Sequence, residues 1–242
     1  MTFGGQFNQP IERVAWPASL QRLNFANFGG EFNRPIDNVS WPASLQDLNL
    51  GAKFNQPIHR VLWPTSLLKL AFDTFGEFNQ PIDQVEWPAS LKDLTLGAEF
   101  NQPIHLVSWL ASLQRLGFGD GFNQPIDQVV WPSSLQQLAL GDEYGRGTGF
   151  NQPIYLVSWP ASSAPGNKLV TFGRDFKQET HEINWPSSLQ RLEFKSTLQW
   201  PEEGVTFPAS LRQIEVQRRP EEPLPEVPGV DVCRFWNKYW VD

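Results

Sequence analysis

The groups able to do chemistry in this chain are few, and most of them recur at regular spacing. His59 and His105 alternate with Asp37, Asp83 and Asp127, each 22 or 24 residues after the last. Imidazole and carboxylate are apt ligands for a divalent metal. A metal site, however, needs a first shell that closes locally, and the chain has no His-Glu-x-x-His and no paired-cysteine spacing. The series reads instead as a hydrogen-bonded ladder. Cys233 is the single cysteine. The histidine nearest to it in sequence, His181, belongs to a different repeat unit, so no thiol–imidazole pair is visible. Gly145, Gly147 and Gly149 do not open a helix after a strand and form no phosphate loop. The serines of Pro-x-Ser-Leu recur in most units, which marks them as turn residues rather than a nucleophile.

Two further rows of side chains follow the same spacing. Trp16, Trp41, Trp63, Trp87, Trp109, Trp131, Trp159 and Trp185 form one, continued by Phe207. Exposed, such a ladder would stack sugars. Yet Val85 and Trp87 are two apart in an extended stretch and share a face, and valine belongs inside. A strip of exposed tryptophans would also be a large adhesive patch. The row is therefore expected in the core. Asn8, Asn33, Asn55, Asn79, Asn101, Asn123 and Asn151 form the other. It is expected as an internal ladder whose amides satisfy backbone groups freed at the turn before proline.

The elements that must position these rows come from an internal repeat. Phe-Asn-Gln-Pro-Ile starts at Phe7, Phe54, Phe78, Phe100, Phe122 and Phe150, with the variant Asn33-Arg34-Pro35-Ile36 after Phe32 and degraded copies at Phe176 and Leu198. These starts, 22 to 28 residues apart, define about nine coils. A period in this range is the signature of a solenoid. Leu91-x-x-Leu94-x-Leu96 ends with the period-two alternation of a short strand. Pro81 and Pro88 forbid a helix through the return path, and Gly97 closes the strand with a turn. Each coil is thus one short parallel strand, a turn and an extended or short 3₁₀ return. The expected fold is a mainly β, or α/β-type, leucine-rich-repeat-like solenoid with one parallel sheet.

Ser90-Leu91-x-x-Leu94-x-Leu96-Gly97, followed by Phe100-Asn101-Gln102-Pro103-Ile104, resembles the FNIP repeat, a relative of the leucine-rich repeat. The resemblance runs from Phe7 to about Val216. The Trp-Pro pair departs from it, since other FNIP repeats commonly carry a smaller aliphatic residue before the proline. The resemblance implies a protein-interaction scaffold without known catalysis. In some relatives the array is joined to an F-box, and no such domain is found here.

Bulk properties fit this reading. Hydrophobic residues make up 40% of the chain, enough for a core. A formal charge of -7 argues against nucleic acid as a partner, which calls for a positive stripe. No apolar run is long enough to span a membrane, no secretory signal is visible, and a lone cysteine forms no internal disulfide. An intracellular setting is expected, free or attached to a complex.

The solenoid is expected over 1–216, with a Pro-rich segment and aromatic C-terminal cap over 217–242. Thr2-Phe3-Gly4 reads as the tail of a preceding strand, so the first coil is expected to be incomplete and uncapped. Concave strand positions such as Asp93 and Thr95, Arg115 and Gly117, or Gln137 and Ala139 lack the aromatic and arginine anchors of a hot spot. Partner contacts are therefore expected at the irregular features: Phe3 and Phe7 at the first coil, Tyr144 and Arg146 in the 141–149 insertion, and Phe235, Trp236, Tyr239 and Trp240 in the tail. Asn55, Asn79, Asn101 and Asn123, with Trp63, Trp87, Trp109 and Trp131, are expected as structural ladders. The expected function is a non-catalytic scaffold, without cofactor or metal, that binds one or more proteins and in a fuller form serves as an accessory structural subunit of a multi-subunit complex. A sugar-binding module using the tryptophan row is the alternative. Replacing His59 and His105 together by alanine should change stability slightly. Thermal melts with added zinc test the ladder reading: a zinc-dependent rise in Tm, lost in the double variant, would overturn it.

Overall fold

The computed structural model describes residues 1–242 apart from 26–28, 142–148, 160–167, 179–182, 197–205, 218–223, 225 and 236–242. Ten short strands form one parallel sheet in chain order. They are β1 (Arg22–Asn24), β2 (Asp47–Asn49), β3 (Lys69–Ala71), β4 (Asp93–Thr95), β5 (Arg115–Phe118), β6 (Gln137–Leu140), β7 (Leu169–Phe172), β8 (Arg191–Phe194), β9 (Gln213–Gln217) and β10 (Asp231–Phe235). The register places equivalent repeat positions side by side, as in Leu70↔Leu94 and Leu94↔Leu116. Thr2 forms an isolated parallel bridge with Asn24 beside β1. The segment expected as a C-terminal cap supplies β10, which extends the sheet beyond β9.

The return path is built from two tight turns joined by extended chain. Val85 N–H donates to Ile82 C=O at 3.3 Å, and Leu91 N–H donates to Pro88 C=O at 2.9 Å. The same pair of turns recurs in coil after coil, as at Val107–Ile104 with Leu113–Leu110 and at Val129–Ile126 with Leu135–Pro132. Proline fits because its fixed φ suits the turn and its missing N–H is not needed there. At the strand exit the backbone turns left-handed, at Gly51 (φ 83°), Gly141 (φ 95°) and Asp73 (φ 59°). Asp73 tolerates this because its own carboxylate accepts from Phe75 N–H at 3.1 Å.

Each coil contributes one residue to each of several buried columns. The phenylalanine column is continuous, with ring centroids of Phe78, Phe100, Phe122 and Phe150 6.1–6.2 Å apart and nearly parallel. Trp63, Trp87, Trp131, Trp159 and Trp185 are more than nine-tenths buried, and Trp16, Trp41 and Trp109 pack half-buried against the same core. The exposed aromatic platform that sugar stacking requires is therefore absent from this column. All eight indole N–H groups are enclosed without a protein acceptor. Their contribution is ring area rather than hydrogen bonding.

Polar ladders tie the coils together along the axis. The Oδ1 of Asn55 accepts from Asn79 N–H (3.0 Å) and from Gln80 Nε2 (3.0 Å), and the pattern continues through Asn79, Asn101, Asn123 and Asn151. The Pro-x-Ser-Leu serines do more than turn the chain. Ser44, Ser66, Ser90, Ser112, Ser134 and Ser210 each donate to the leucine carbonyl of the preceding coil at 2.6–2.9 Å.

Two outcomes follow from this packing. Asn55→Ala orphans two donors of the next coil and should cost about 1–3 kcal/mol in urea unfolding, with Asn55→Asp, which keeps an acceptor, recovering part of it. Equal stability of Asn55→Ala and the parent would remove the ladder from the energetics. Tryptophan emission should be blue-shifted and resist iodide quenching. A red-shifted, readily quenched spectrum would contradict the buried column.

Candidate interaction surfaces

Strand residues that do not enter the core form two columns on the sheet's outer face. One runs Arg22, Asp47, Lys69, Asp93, Arg115, Gln137, Leu169, Arg191, Gln213 and Asp231. Its middle is neutralised in place: Asp93 accepts from Arg115 Nε at 2.9 Å and faces Lys69 Nζ at 3.9 Å. Exposed pairs of this kind contribute about 0–1 kcal/mol; here they align neighbours rather than advertise charge. The second column passes through Ala71, Thr95, Gly117 and Ala139, which are small and uncharged.

The two ends of the sheet differ from this middle. Near the N-terminus, Arg22, Asn24, Asp47, Asn49, Lys69 and Thr95 line an open polar groove of about 490 Å³. Near the C-terminus Glu193 and Glu215 sit side by side in register. Arg191 relieves their repulsion by donating to both, at 3.3 Å and 2.8 Å, and Lys195 adds a contact to Glu193 at 3.4 Å. The second column, small and uncharged in the middle, is therefore acidic in the last coils.

The residues expected to contact partners are placed as follows. Phe3 and Phe7 are half-buried, stacked on each other at 4.1 Å, and Phe3 stacks on Phe25 at 4.9 Å. They close the first coil's core and leave only part of each ring accessible. Tyr144, Arg146, Trp236, Tyr239 and Trp240 lie outside the described residues. Phe235 ends β10. His59 and Asp83 occupy equivalent positions in adjacent coils and line a shallow groove of about 270 Å³ with Pro57 and Pro81. Among the described residues, no group of three or more histidine, cysteine, aspartate or glutamate side chains is placed to hold a metal ion.

Two reactive groups have surroundings that quiet them. The Cys233 thiol donates to Asp231 Oδ2 at 3.3 Å, and this bond, with partial burial, raises its pKa above the ordinary thiol range and disfavours the thiolate. Lys168 is buried, which lowers its pKa, and its ammonium donates to Leu135 C=O at 3.3 Å. In other coils a serine hydroxyl makes this bond to the preceding coil's leucine. Lys168 thus supplies a donor to the carbonyl position that serine hydroxyls meet elsewhere.

Sequence reasoning overlooked a patch on the return path. Leu106, Val130 and Leu156 are 68%, 82% and 65% exposed, in three consecutive coils. The signal was present in the sequence: aliphatic residues stand at turn and edge positions where other coils carry Arg60, Gln84, Ser108 or Ser158.

Similarity to known proteins agrees with the architecture. The FNIP Repeat family model matches residues 32–75, 78–107 and 111–143. Among solved structures, the chain is similar to the crystal structure of CroV588, described as a novel circular LRR protein structure, with a TM-score of 0.62 and 28% identity over 96% of this chain and 42% of that one. The chain thus spans about two fifths of that protein's length. A search of curated proteins found no match. No helix among the described residues is long and apolar enough to cross a membrane. FNIP repeats thus lie between residues 32 and 143, and the units stack in register into a single parallel, leucine-rich-repeat-like sheet.

Proposed function

We propose that the chain is a non-catalytic protein-interaction scaffold that serves as an accessory structural subunit of a larger assembly. The observation that carries this is the division of labour between the inside and outside of each coil. Phenylalanine, isoleucine, tryptophan and leucine columns fill the interior, and asparagine and serine ladders satisfy the backbone between coils. The outward positions vary from coil to coil without disturbing those columns. Such a frame presents a broad, preorganised surface, and preorganisation lowers the entropic cost of binding another protein. The non-catalytic part is supported by the quiet state of the two reactive groups, a thiol held protonated by Asp231 and a lysine turned inward to a backbone carbonyl.

Native co-purification with cross-linking and native mass spectrometry tests this reading. A protein retained at fixed stoichiometry, cross-linked to outward-facing positions, is the expected outcome. A folded, monomeric array that retains no protein would sink it.

A further inference from the structure

Each return path carries a tight turn from isoleucine to valine, with two outward residues inside it and one after it. In coils 5, 6 and 7 these turns close at 3.2–3.3 Å and have the same form. The asparagine ladder fixes their register, through Asn123 N–H to Asn101 and Asn151 N–H to Asn123, both at 2.9 Å. Leu106 and Leu156 therefore occupy the same turn position two coils apart. Val130 lies in the coil between them, just past the buried Val129. None of the three is needed inside, because Ile104, Ile126 and Ile154 already fill the core beneath. Tyr155, about half exposed, adjoins Leu156. Exposed aliphatic side chains recurring in consecutive coils are candidates for a binding surface.

Spacing and charge together indicate what covers it. Neighbouring coils are 6.2 and 6.1 Å apart at the phenylalanine column beneath the patch. Residues four apart on an α-helix rise about 6 Å and lie on nearly the same face. A helix laid along the solenoid axis thus meets one coil with each turn. Coil 4 carries exposed Asp83 and Glu86 and coil 6 carries Asp127, while Lys177 is exposed in coil 8 on the other side. The return segments of coils 4 to 7 contain no lysine or arginine, and His105 is their one basic side chain. The chain's net charge of -7 adds to this local field.

We infer that Leu106, Val130 and Leu156 form a docking strip for an amphipathic α-helix of a protein partner, whose apolar stripe is flanked by lysine and arginine. This rests on the scaffold reading and names the partner's chemistry. The partner helix would dock by its apolar face with one anchor per coil. The carboxylates of coils 4 and 6 disfavour an anionic bilayer at the same place and accelerate encounter with a basic segment.

The test titrates the intact chain into a fluorescein-labelled amphipathic peptide about 18 residues long, or five helical turns, with leucine on one face and lysine and arginine beside it. Saturable binding that weakens with added salt is expected, at least tenfold weaker for Val130→Glu and for Leu106→Glu with Leu156→Glu. These side chains are exposed, so the variants should keep the parent Tm. A matched peptide with glutamate in place of its lysine and arginine should not bind, which tests the role of these carboxylates without altering the protein. No saturable binding, or equal binding by parent and variants, overturns the inference. So does a concentration-dependent dimer or vesicle association that Val130→Glu abolishes, since either assigns the strip to another occupant. A cellular partner captured equally by parent and variants leaves the scaffold reading intact and removes this surface. A partner captured by neither, with peptide binding intact, counts against the scaffold reading alone.

Discussion

The hydrogen bond from one coil's backbone N–H to the preceding coil's asparagine Oδ1 sets the register on which the other columns depend. A one-residue slip between coils would break this bond, part the phenylalanine stack and misalign the serine rungs together. The backbone pairing of the short strands is too brief to enforce register alone: β1 to β4 have three residues each. Specificity is therefore spread along the whole coil, with a side-chain amide on the return path doing what a longer strand would do in an ordinary sheet.

The tryptophans show how strongly the interior favours area over hydrogen bonding. Eight indole N–H groups are enclosed without an acceptor, and leaving a donor unpaired costs about 1–3 kcal/mol. Smaller aliphatic residues would avoid that cost but fill less space between sheet and return. Burial of a large ring offsets the lost hydrogen bond. Pro17, Pro42, Pro64, Pro88, Pro132 and Pro186, each following a tryptophan of this row, start the turn that brings the chain back to the sheet.

Much of this was readable in the sequence because the solenoid repeats its constraints. The period, the strand at Leu-x-Leu, the proline turns and the asparagine row all follow from residues recurring in phase. What escaped was aperiodic or depended on neighbours distant in sequence. The serine rungs looked like turn chemistry because their acceptors lie 21 to 24 residues earlier. Lys168 gave no sign of its position, since an inward-turned lysine has the same letter as a solvated one. Leu106 and Leu156 were legible only as exceptions to a column that is polar in other coils, whereas Val130 shares its position with the exposed Leu62 of the third coil.

Lys168 also alters the mechanics of the array. A stack of identical coils pulled along its axis has no preferred place to part, because each joint resists equally. Among the described residues, the sixth coil's leucine carbonyl is met at 3.3 Å by a flexible ammonium, beside a cavity of about 20 Å³, where Ser44, Ser66, Ser90, Ser112, Ser134 and Ser210 make shorter bonds at their own joints. Strain applied to the ends would gather there. The array then behaves less like a uniform rod than like two stiff segments joined at a compliant link, and a load carried through it would bend or open at that link first.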